Sequence, residues 1–262
     1  MSVLVLGSNS FSGASFINYL LNTTDEKVYA LSRSVEYDKE LLAYKNHSRY
    51  TQVEFHQLDI NQDTEKITSL IADNKIEYIV NFAAQGMVAQ SWENPLHWYN
   101  TNILALGKLL ESIYKLRCIK KFLQVSTPEV YGAGIDIKET MNFAPSSPYA
   151  ASKASADLLL YSYFKTQGFP INYTRASNVY GAYQQLYRII PKTILTIKKG
   201  EKLPLHGGGK AVRNFIHIND VAKQTFCILK NAQSGEIYHL SSDKSTSIYD
   251  LVSMICNELS VD

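Results

Sequence analysis

Strand-length apolar runs alternate with helix-period segments along the first two thirds of the chain, and this alternation limits the possible folds more than any single residue does. The runs stand at Val3–Leu6, Lys27–Leu31, Val53–His56, Tyr78–Phe82, Lys121–Ser126 and Ile171–Arg175. Between them, residues about 11–22, 63–74, 90–117 and 149–167 carry apolar side chains at i, i+3 and i+4. Parallel strands covered on both faces have no solvent side, so they read as unbroken apolar runs rather than alternating ones. Strand, helix, strand repeated in this way predicts an α/β fold, a doubly wound parallel sheet with helices on both faces. After Asn178 the pattern becomes irregular. A Tyr/Gln-rich loop leads to a helix near 188–199, a Gly-Gly-Gly turn at 207–209, short strands near 203–206, 214–218 and 236–240, and an amphipathic helix over Ser247–Leu259. The expected division is a dinucleotide-binding domain over 1–175 and 210–232, with a smaller substrate-binding region over 176–209 and 233–262 folded on the sheet's carboxyl edge.

Composition removes several classes. Apolar residues make up 45% and charged residues 19% of the chain, which excludes a disordered or fibrous protein. The formal net charge of +2 provides no field for nucleic acid or an anionic membrane, so neither is expected as a partner. No stretch approaches the roughly eighteen apolar residues of a spanning helix, and the start lacks the basic region of a signal peptide. Cys118, Cys227 and Cys256 are odd in number and far apart, which predicts reduced thiols and a cytoplasmic location. The histidines show no ligand spacing, and no metal is expected.

The first run ends in Gly7-Ser8-Asn9-Ser10-Phe11-Ser12-Gly13 and a helix follows at once. A tight glycine turn there lets backbone N–H groups and a helix N-terminus face a pyrophosphate, which makes Gly7, Ser10, Phe11 and Gly13 candidate cofactor contacts. Ser10 stands where the usual middle glycine would be, and its hydroxyl can donate in compensation. The second strand usually ends in a carboxylate that holds the ribose 2′-hydroxyl of NAD. Here Ser32-Arg33-Ser34 occupies that place, and an arginine between two hydroxyls suits a 2′-phosphate, so NADP is favoured over NAD. Asp59-Ile60 after the third strand offers an acceptor to the adenine. Ala83-Ala84-Gln85 after the fourth lets the cofactor approach the backbone.

Ser126-Thr127 closes the fifth strand, and Tyr149 and Lys153, four apart, share one face of the helix beyond it. A nearby ammonium favours phenolate, so the pairing predicts a lowered Tyr149 pKa and proton exchange near neutral pH. Ser126 or Thr127 can hold the same substrate oxygen.

With these residues the chain resembles the extended short-chain dehydrogenase/reductase superfamily over essentially its whole length, with a Rossmann-type sheet, and within it the nucleotide-sugar 4,6-dehydratases. The resemblance is carried by Ala83-Ala84-Gln85, Ser91-Trp92-Glu93-Asn94-Pro95, Thr101-Asn102-Ile103, Ser126-Thr127-Pro128-Glu129-Val130-Tyr131-Gly132, Tyr149/Lys153, Arg175–Gly181, Gln184–Pro191 and Val212–Ala222. It implies catalytic roles for Ser126, Thr127, Glu129, Tyr149 and Lys153, and cofactor contacts that include Asn102, Tyr149 and Lys153. It further implies a tightly bound, recycled NAD(P) and a nucleotide-diphosphate sugar held by Gln85, Asn178, Arg188 and Arg213, with Lys192 near by. The implied reaction oxidises C4, eliminates water across C5 and C6 with Glu129 as base, and returns the hydride to C6, as in polysaccharide biosynthesis. The dTDP-glucose branch carries an Asp before that Glu. Pro128 replaces it here; the GDP-mannose branch also lacks that Asp, and it also favours NADP with an arginine after the second strand. The Gln184–Pro191 segment looks more like the dTDP-glucose branch, so the nucleotide base stays open.

A 4-epimerase or a decarboxylase on the same scaffold is the alternative, and a non-catalytic dinucleotide sensor is disfavoured by the intact Tyr149/Lys153 pair. Family members extend some tens of residues further, so the usual C-terminal completion of the lid is expected to be lacking. Leu158, Leu159, Leu160, Tyr161, Tyr163 and Phe164 exceed what one buried helix face absorbs. In this family the helices near 90–117 and 149–167 form a dimer interface, so an isologous homodimer is expected.

Overall fold

The computed structural model describes residues 2–134 and 136–260; Met1, Ile135, Val261 and Asp262, which fall within the expected division, lie outside them. In β1 (Ser2–Leu6) alternate side chains enter different layers. Val3 and Val5 pack with α1 (Phe11–Thr23) and α7 (Ile218–Asn231), while Leu4 and Leu6 join the core under α2 (Thr64–Asp73), α4 (Leu106–Ile113) and α5 (Pro148–Gln167). In β2 (Lys27–Ser32), Val28 and Ala30 face the first layer and Tyr29 and Leu31 the second. A period of two inside an unbroken apolar run is what a doubly covered sheet requires.

With β3 (Val53–Gln57), β4 (Tyr78–Asn81), β5 (Lys121–Ser126), β6 (Ile171–Ala176) and β9 (Ile237–Leu240), these strands form a seven-stranded sheet of order β3-β2-β1-β4-β5-β6-β9. Every pairing in it is parallel. The order reverses between β1 and β4, and a crevice opens at the carboxyl ends of strands at such a switch point.

A second sheet joins β7 (Asn178–Tyr180), β8 (Val212–His217) and β10 (Ser245–Ser247) in the order β10-β8-β7. Beside it lie α6 (Ile189–Lys198) and α8 (Ile248–Glu258), which contact each other. The pairing reverses part of the expected division. Residues 236–240, expected in the smaller region, extend the main sheet, and 212–217, expected in the dinucleotide domain, pair with β7 and β10. No strand forms near 203–206, and α7 occupies 218–231, where the sequence had suggested no element.

The expected helix over 90–117 is broken. A short 3₁₀ turn (Ala89–Trp92) precedes α3 (Pro95–Tyr99), which Pro95 opens in its first turn, and a π-helical stretch (Asn100–Ala105) joins α3 to α4. The π stretch carries Asn102, and π segments of this kind concentrate at functional sites.

Two glycines make the β1–α1 turn possible. Gly7 has φ +81°, and a Cβ there would stand 2.6 Å from the Ala83 nitrogen at the end of β4. A Cβ on Gly13 would stand 2.4 Å from the Gly7 carbonyl oxygen. Gly7→Ala should therefore cost more than the roughly 1–2 kcal/mol of left-handed backbone alone, because backbone atoms cannot yield as a flexible side chain can. Thermal unfolding and retention of bound dinucleotide should both fall, and an unchanged melting temperature would contradict this packing.

Candidate active site

At the β1–α1 turn Ser10 is the N-cap of α1, and its Oγ accepts from the Gly13 N–H at 3.0 Å. An accepting hydroxyl keeps its own proton, so Ser10 can still donate to an anion at the helix N-terminus. Asn9 Nδ2 donates to Ser34 Oγ at 3.0 Å and to the Val35 carbonyl at 2.8 Å, tying this turn to the loop after β2. Arg33 in that loop is exposed. The nearest carboxylate, Glu36, is fully engaged: Tyr44 donates to one oxygen at 2.8 Å and Tyr50 to the other at 2.9 Å, with Lys45 Nζ 3.1 Å away. Burial first, and the Glu36 carboxylate second, push the Tyr44 phenol well above its usual range, so the phenol keeps the proton that it donates.

Asp59 Oδ1 accepts from the Asn61 N–H and side chain at 2.9 and 2.7 Å, and Ile60 is buried under α2 and α4. Asn102 is buried and fully used. Its Oδ1 accepts from the Gln85 N–H at 2.8 Å, and its Nδ2 donates to the Gln85 carbonyl at 3.0 Å and to Ser152 Oγ at 2.9 Å. Ser152 in turn donates to the Tyr149 carbonyl at 2.7 Å. Asn102 thus locks the Ala83–Gln85 segment to the first turn of α5, and its amide acts through Gln85 and Ser152.

At the other end of the cleft, Thr127 caps a 3₁₀ turn (Pro128–Tyr131) with its Oγ1 accepting from the Glu129 N–H at 3.3 Å. Ser147 caps α5 in the same way through the Ala150 N–H, and Pro148 opens that helix. The two hydroxyls after β5 part company. Thr127 faces the Tyr149 phenol and favours its charged form, whereas Ser126 donates to the buried Asp157 at 2.7 Å.

Lys153 donates to the Val125 carbonyl at 2.8 Å, and burial pulls it down to about 8, against the Asp157 carboxylate. The Tyr149 phenol is pushed up to about 12, by burial first and by the Glu129 carboxylate second, against Thr127 and Arg188. This corrects the expectation of a lowered phenol: Lys153 spends its charge on Val125 and Asp157, while desolvation and a neighbouring carboxylate dominate at Tyr149.

Glu129 presents surface to the cleft, yet the surrounding protein removes enough bulk water to raise its pKa, with Arg188 and Arg213 pulling it back. Arg188 is the N-cap residue of α6, and Arg213 lies on β8, its Nη1 on the Val212 carbonyl at 2.9 Å. Both side chains are exposed, and both act on the same carboxylate, so a helix and a strand of the second region bring cations over β5's carboxyl end. Asn178 is exposed, with its Nδ2 3.3 Å from the Asn214 carbonyl. The cleft can move a proton at Tyr149, move another at Glu129, and bind an anion between Arg188 and Arg213.

Sequence reasoning missed Asp157 and Arg175, which form a fully buried ion pair at 2.9 Å. Two signals were available: Asp157 follows Lys153 by one helical turn, and Arg175 places a charge within a strand that the alternation buries on both faces.

A family model described as GDP-mannose 4,6 dehydratase matches residues 4–262. The low-salt glycan biosynthesis protein Agl12 of Haloferax volcanii is 37% identical over 251 residues, 92% of this chain and 77% of that protein. A dTDP-glucose 4,6-dehydratase of Streptomyces venezuelae, solved with NAD bound, superposes with a TM-score of 0.89 at 29% identity, covering 100% of this chain and 82% of that one. A UDP-N-acetylglucosamine 4-epimerase of Methanobrevibacter ruminantium superposes equally, at 0.89 and 30% identity, covering 100% and 83%.

Burying Lys153 in charged form has a cost that a stability measurement can read. Its descent from 10.5 to about 8 corresponds to a cost on the order of 3 kcal/mol. Below about pH 8 the ammonium is charged in folded and unfolded chains alike, and the folded protein bears the whole cost. As pH rises toward 10.5 the cost fades, because the folded state has already shed the proton that the unfolded chain then loses. Lys153→Met should therefore be more stable than the parent at pH 7, with the difference shrinking above pH 8 in denaturant titrations, while activity is lost.

Proposed function

The chain belongs to the GDP-mannose 4,6-dehydratase family, and on that premise we propose that it is a nucleotide-sugar 4,6-dehydratase that converts its substrate to the 4-keto-6-deoxy sugar nucleotide. The observation that carries this reading is Glu129, a carboxylate with a raised pKa that lies within electrostatic reach of the Tyr149 phenol and of two arginines. A 4-epimerase needs Tyr149 and Lys153 but removes no proton from C5.

The residues fit a nicotinamide dinucleotide: the Gly7–Gly13 turn would hold the pyrophosphate, and Ala83, Ala84 and Gln85 would flank the nicotinamide half. When bound, that cofactor supplies reversible hydride acceptance and a positive charge. Beside that positive charge Tyr149 stands as the phenolate that takes the proton of the sugar 4-hydroxyl, with Thr127 facing the same oxygen and Lys153 below. The 4-ketone then acidifies the C5 proton, which Glu129 removes. Pro128 has no proton to give, so Glu129, now protonated, returns its proton to the hydroxyl that departs from C6 as water. A raised pKa suits a group that must accept a proton and then release it. Arg213, Arg188 and Asn178 would hold the diphosphate.

Three finer readings accompany this one. Engagement of Glu36 by Tyr44, Tyr50 and Lys45 leaves Arg33 with Ser32 and Ser34 at the end of β2, which supports NADP over NAD. Trp92, Leu96, Leu104 and Leu158 are 66, 67, 58 and 49% exposed on helical segments that contact one another, which supports a homodimer through that face. No helix among the described residues is long and apolar enough to cross a membrane, and the three cysteines are unpaired, which supports a cytoplasmic enzyme.

Mass spectrometry of products from a panel of nucleotide sugars should show loss of water; loss of CO₂ or an unchanged mass would overturn the reading. Glu129→Gln should still oxidise C4 and accumulate reduced cofactor, while elimination falls by about 10²–10⁴-fold. Tyr149→Phe should leave the cofactor oxidised. Dinucleotide released by heat should be NADP(H), and Arg33→Ala should weaken its binding by about 1.5–3 kcal/mol; recovery of NAD(H) alone would refute the preference.

A further inference from the structure

We propose that Arg175 and Tyr131 are positioning residues that set where Glu129 stands relative to Tyr149 and Lys153. The proposal rests on the dehydratase reading for its catalytic consequence. Glu129 sits at the crest of a single 3₁₀ turn that opens on a long bond, the Val130 N–H reaching the Thr127 carbonyl at 3.4 Å, and closes on the Gly132 N–H to the Glu129 carbonyl at 3.1 Å. So short a turn has little rigidity of its own. It is held from beneath by its next two residues. Val130 packs in a small cluster with Ala154 of α5, Ile137 and Phe143.

Tyr131 carries the polar anchor. Its hydroxyl accepts from Arg175 Nη1 and from the Thr140 N–H at 3.3 Å, and it lies 2.9 Å from His239 Nε2. With two donors aimed at the phenol oxygen, the phenol's own proton goes to His239. The other His239 nitrogen then faces Glu139, 3.7 Å away. The Arg175 guanidinium stacks 4.7 Å from the Tyr131 ring centre and 5.0 Å from that of Phe143, and donates to the Thr140 carbonyl at 2.8 Å. Its Nη2 meets Asp157 Oδ2 at 2.9 Å, on the same oxygen that Ser126 reaches at 2.7 Å. Asp157 is one helical turn beyond Lys153. A continuous polar path therefore runs from the helix that carries Tyr149 and Lys153, through Asp157 and Arg175, to the turn that carries Glu129.

A buried ion pair adds little stability compared with apolar residues of the same volume. This pair is also incompletely satisfied, since Asp157 Oδ1 and Arg175 Nε have no hydrogen-bond partner. What the pair does supply is a fixed polar spacing between two elements that otherwise meet through the packing of Val130 and Tyr131 with Ala154. A displacement of about 1 Å in a catalytic group can cost on the order of a hundredfold in rate.

Tyr131→Phe keeps the ring, its packing and the stacking on Arg175, and removes only the hydroxyl anchor. Single-turnover absorbance of the reduced cofactor reads C4 oxidation, and solvent deuterium at C5 of the product reads the step at Glu129. The variant should lose about tenfold or more in C5 exchange while cofactor reduction stays within about twofold of the parent. Arg175→Lys, checked by its circular dichroism, should show the same split. Amide hydrogen exchange supplies an arm independent of the chemistry: in Tyr131→Phe it should rise at 129–132 and stay unchanged at 149–157. Equal losses in both half-reactions, no loss in either, or unchanged exchange at 129–132 would each overturn the proposal. A parent enzyme that removes water from no nucleotide sugar would instead overturn the dehydratase reading, and the hydrogen-exchange arm would still decide whether Tyr131 anchors the turn.

Discussion

Covering both faces of a parallel sheet with helices leaves its carboxyl edge as the place where polar side chains from several strands can meet. Everything functional in this chain follows from that constraint. Gly7 and the α1 N-terminus lie just beyond β1, Ser32–Ser34 at the end of β2, Asp59 beyond β3, Ala83–Gln85 beyond β4 and Thr127–Glu129 beyond β5. The switch between β1 and β4 opens the crevice, and the missing side chain at Gly7 lets the ends of those strands approach closely enough to shape it. The second sheet then adds Arg213 from β8, and α6 adds Arg188 at its start.

Desolvation drives the three central ionisable groups in a common direction, toward their uncharged forms. It raises Tyr149 and Glu129 and lowers Lys153. Arg188 and Arg213 oppose it at Glu129, and Asp157 opposes it at Lys153. Each group therefore sits between a solvent-depleted surrounding and a countercharge, a balance that lets proton affinity change when a charged ligand enters. The cost appears as buried charge and unsatisfied atoms in the core beneath the site, notably at Asp157 and Arg175.

Dehydratases and epimerases share this scaffold, as the equal superposition on one of each demonstrates. Fold alone therefore does not choose the reaction, and the proposed function assigns that choice to the side chain on the turn after β5. Position on that turn matters as much as identity, because a carboxylate that must remove a carbon-bound proton tolerates little displacement. That requirement is why a polar core, otherwise unrewarding for stability, makes physical sense under this particular turn.

Periodicity and local stereochemistry are written in consecutive residues, so the sequence alone determined the alternating elements, the parallel sheet, the glycine turn, the Tyr149/Lys153 spacing and the Ser147 and Pro148 start of α5. Contacts between residues distant in sequence are not written that way. The exchange of β8 and β9 between sheets depends on which edge each strand meets, and 236–240 reads the same on either. The π stretch within 90–117 carries Asn102, which reaches both Gln85 and Ser152. The engagement of Glu36 depends on two tyrosines, 8 and 14 residues away, folding back onto it. Even the Tyr149 phenol, correctly located from spacing, titrates opposite to the sequence expectation, because its pKa depends on how much water the finished fold leaves around it and on a carboxylate twenty residues earlier. Tertiary structure alone decided these, since burial and charge proximity exist only once the layers have closed.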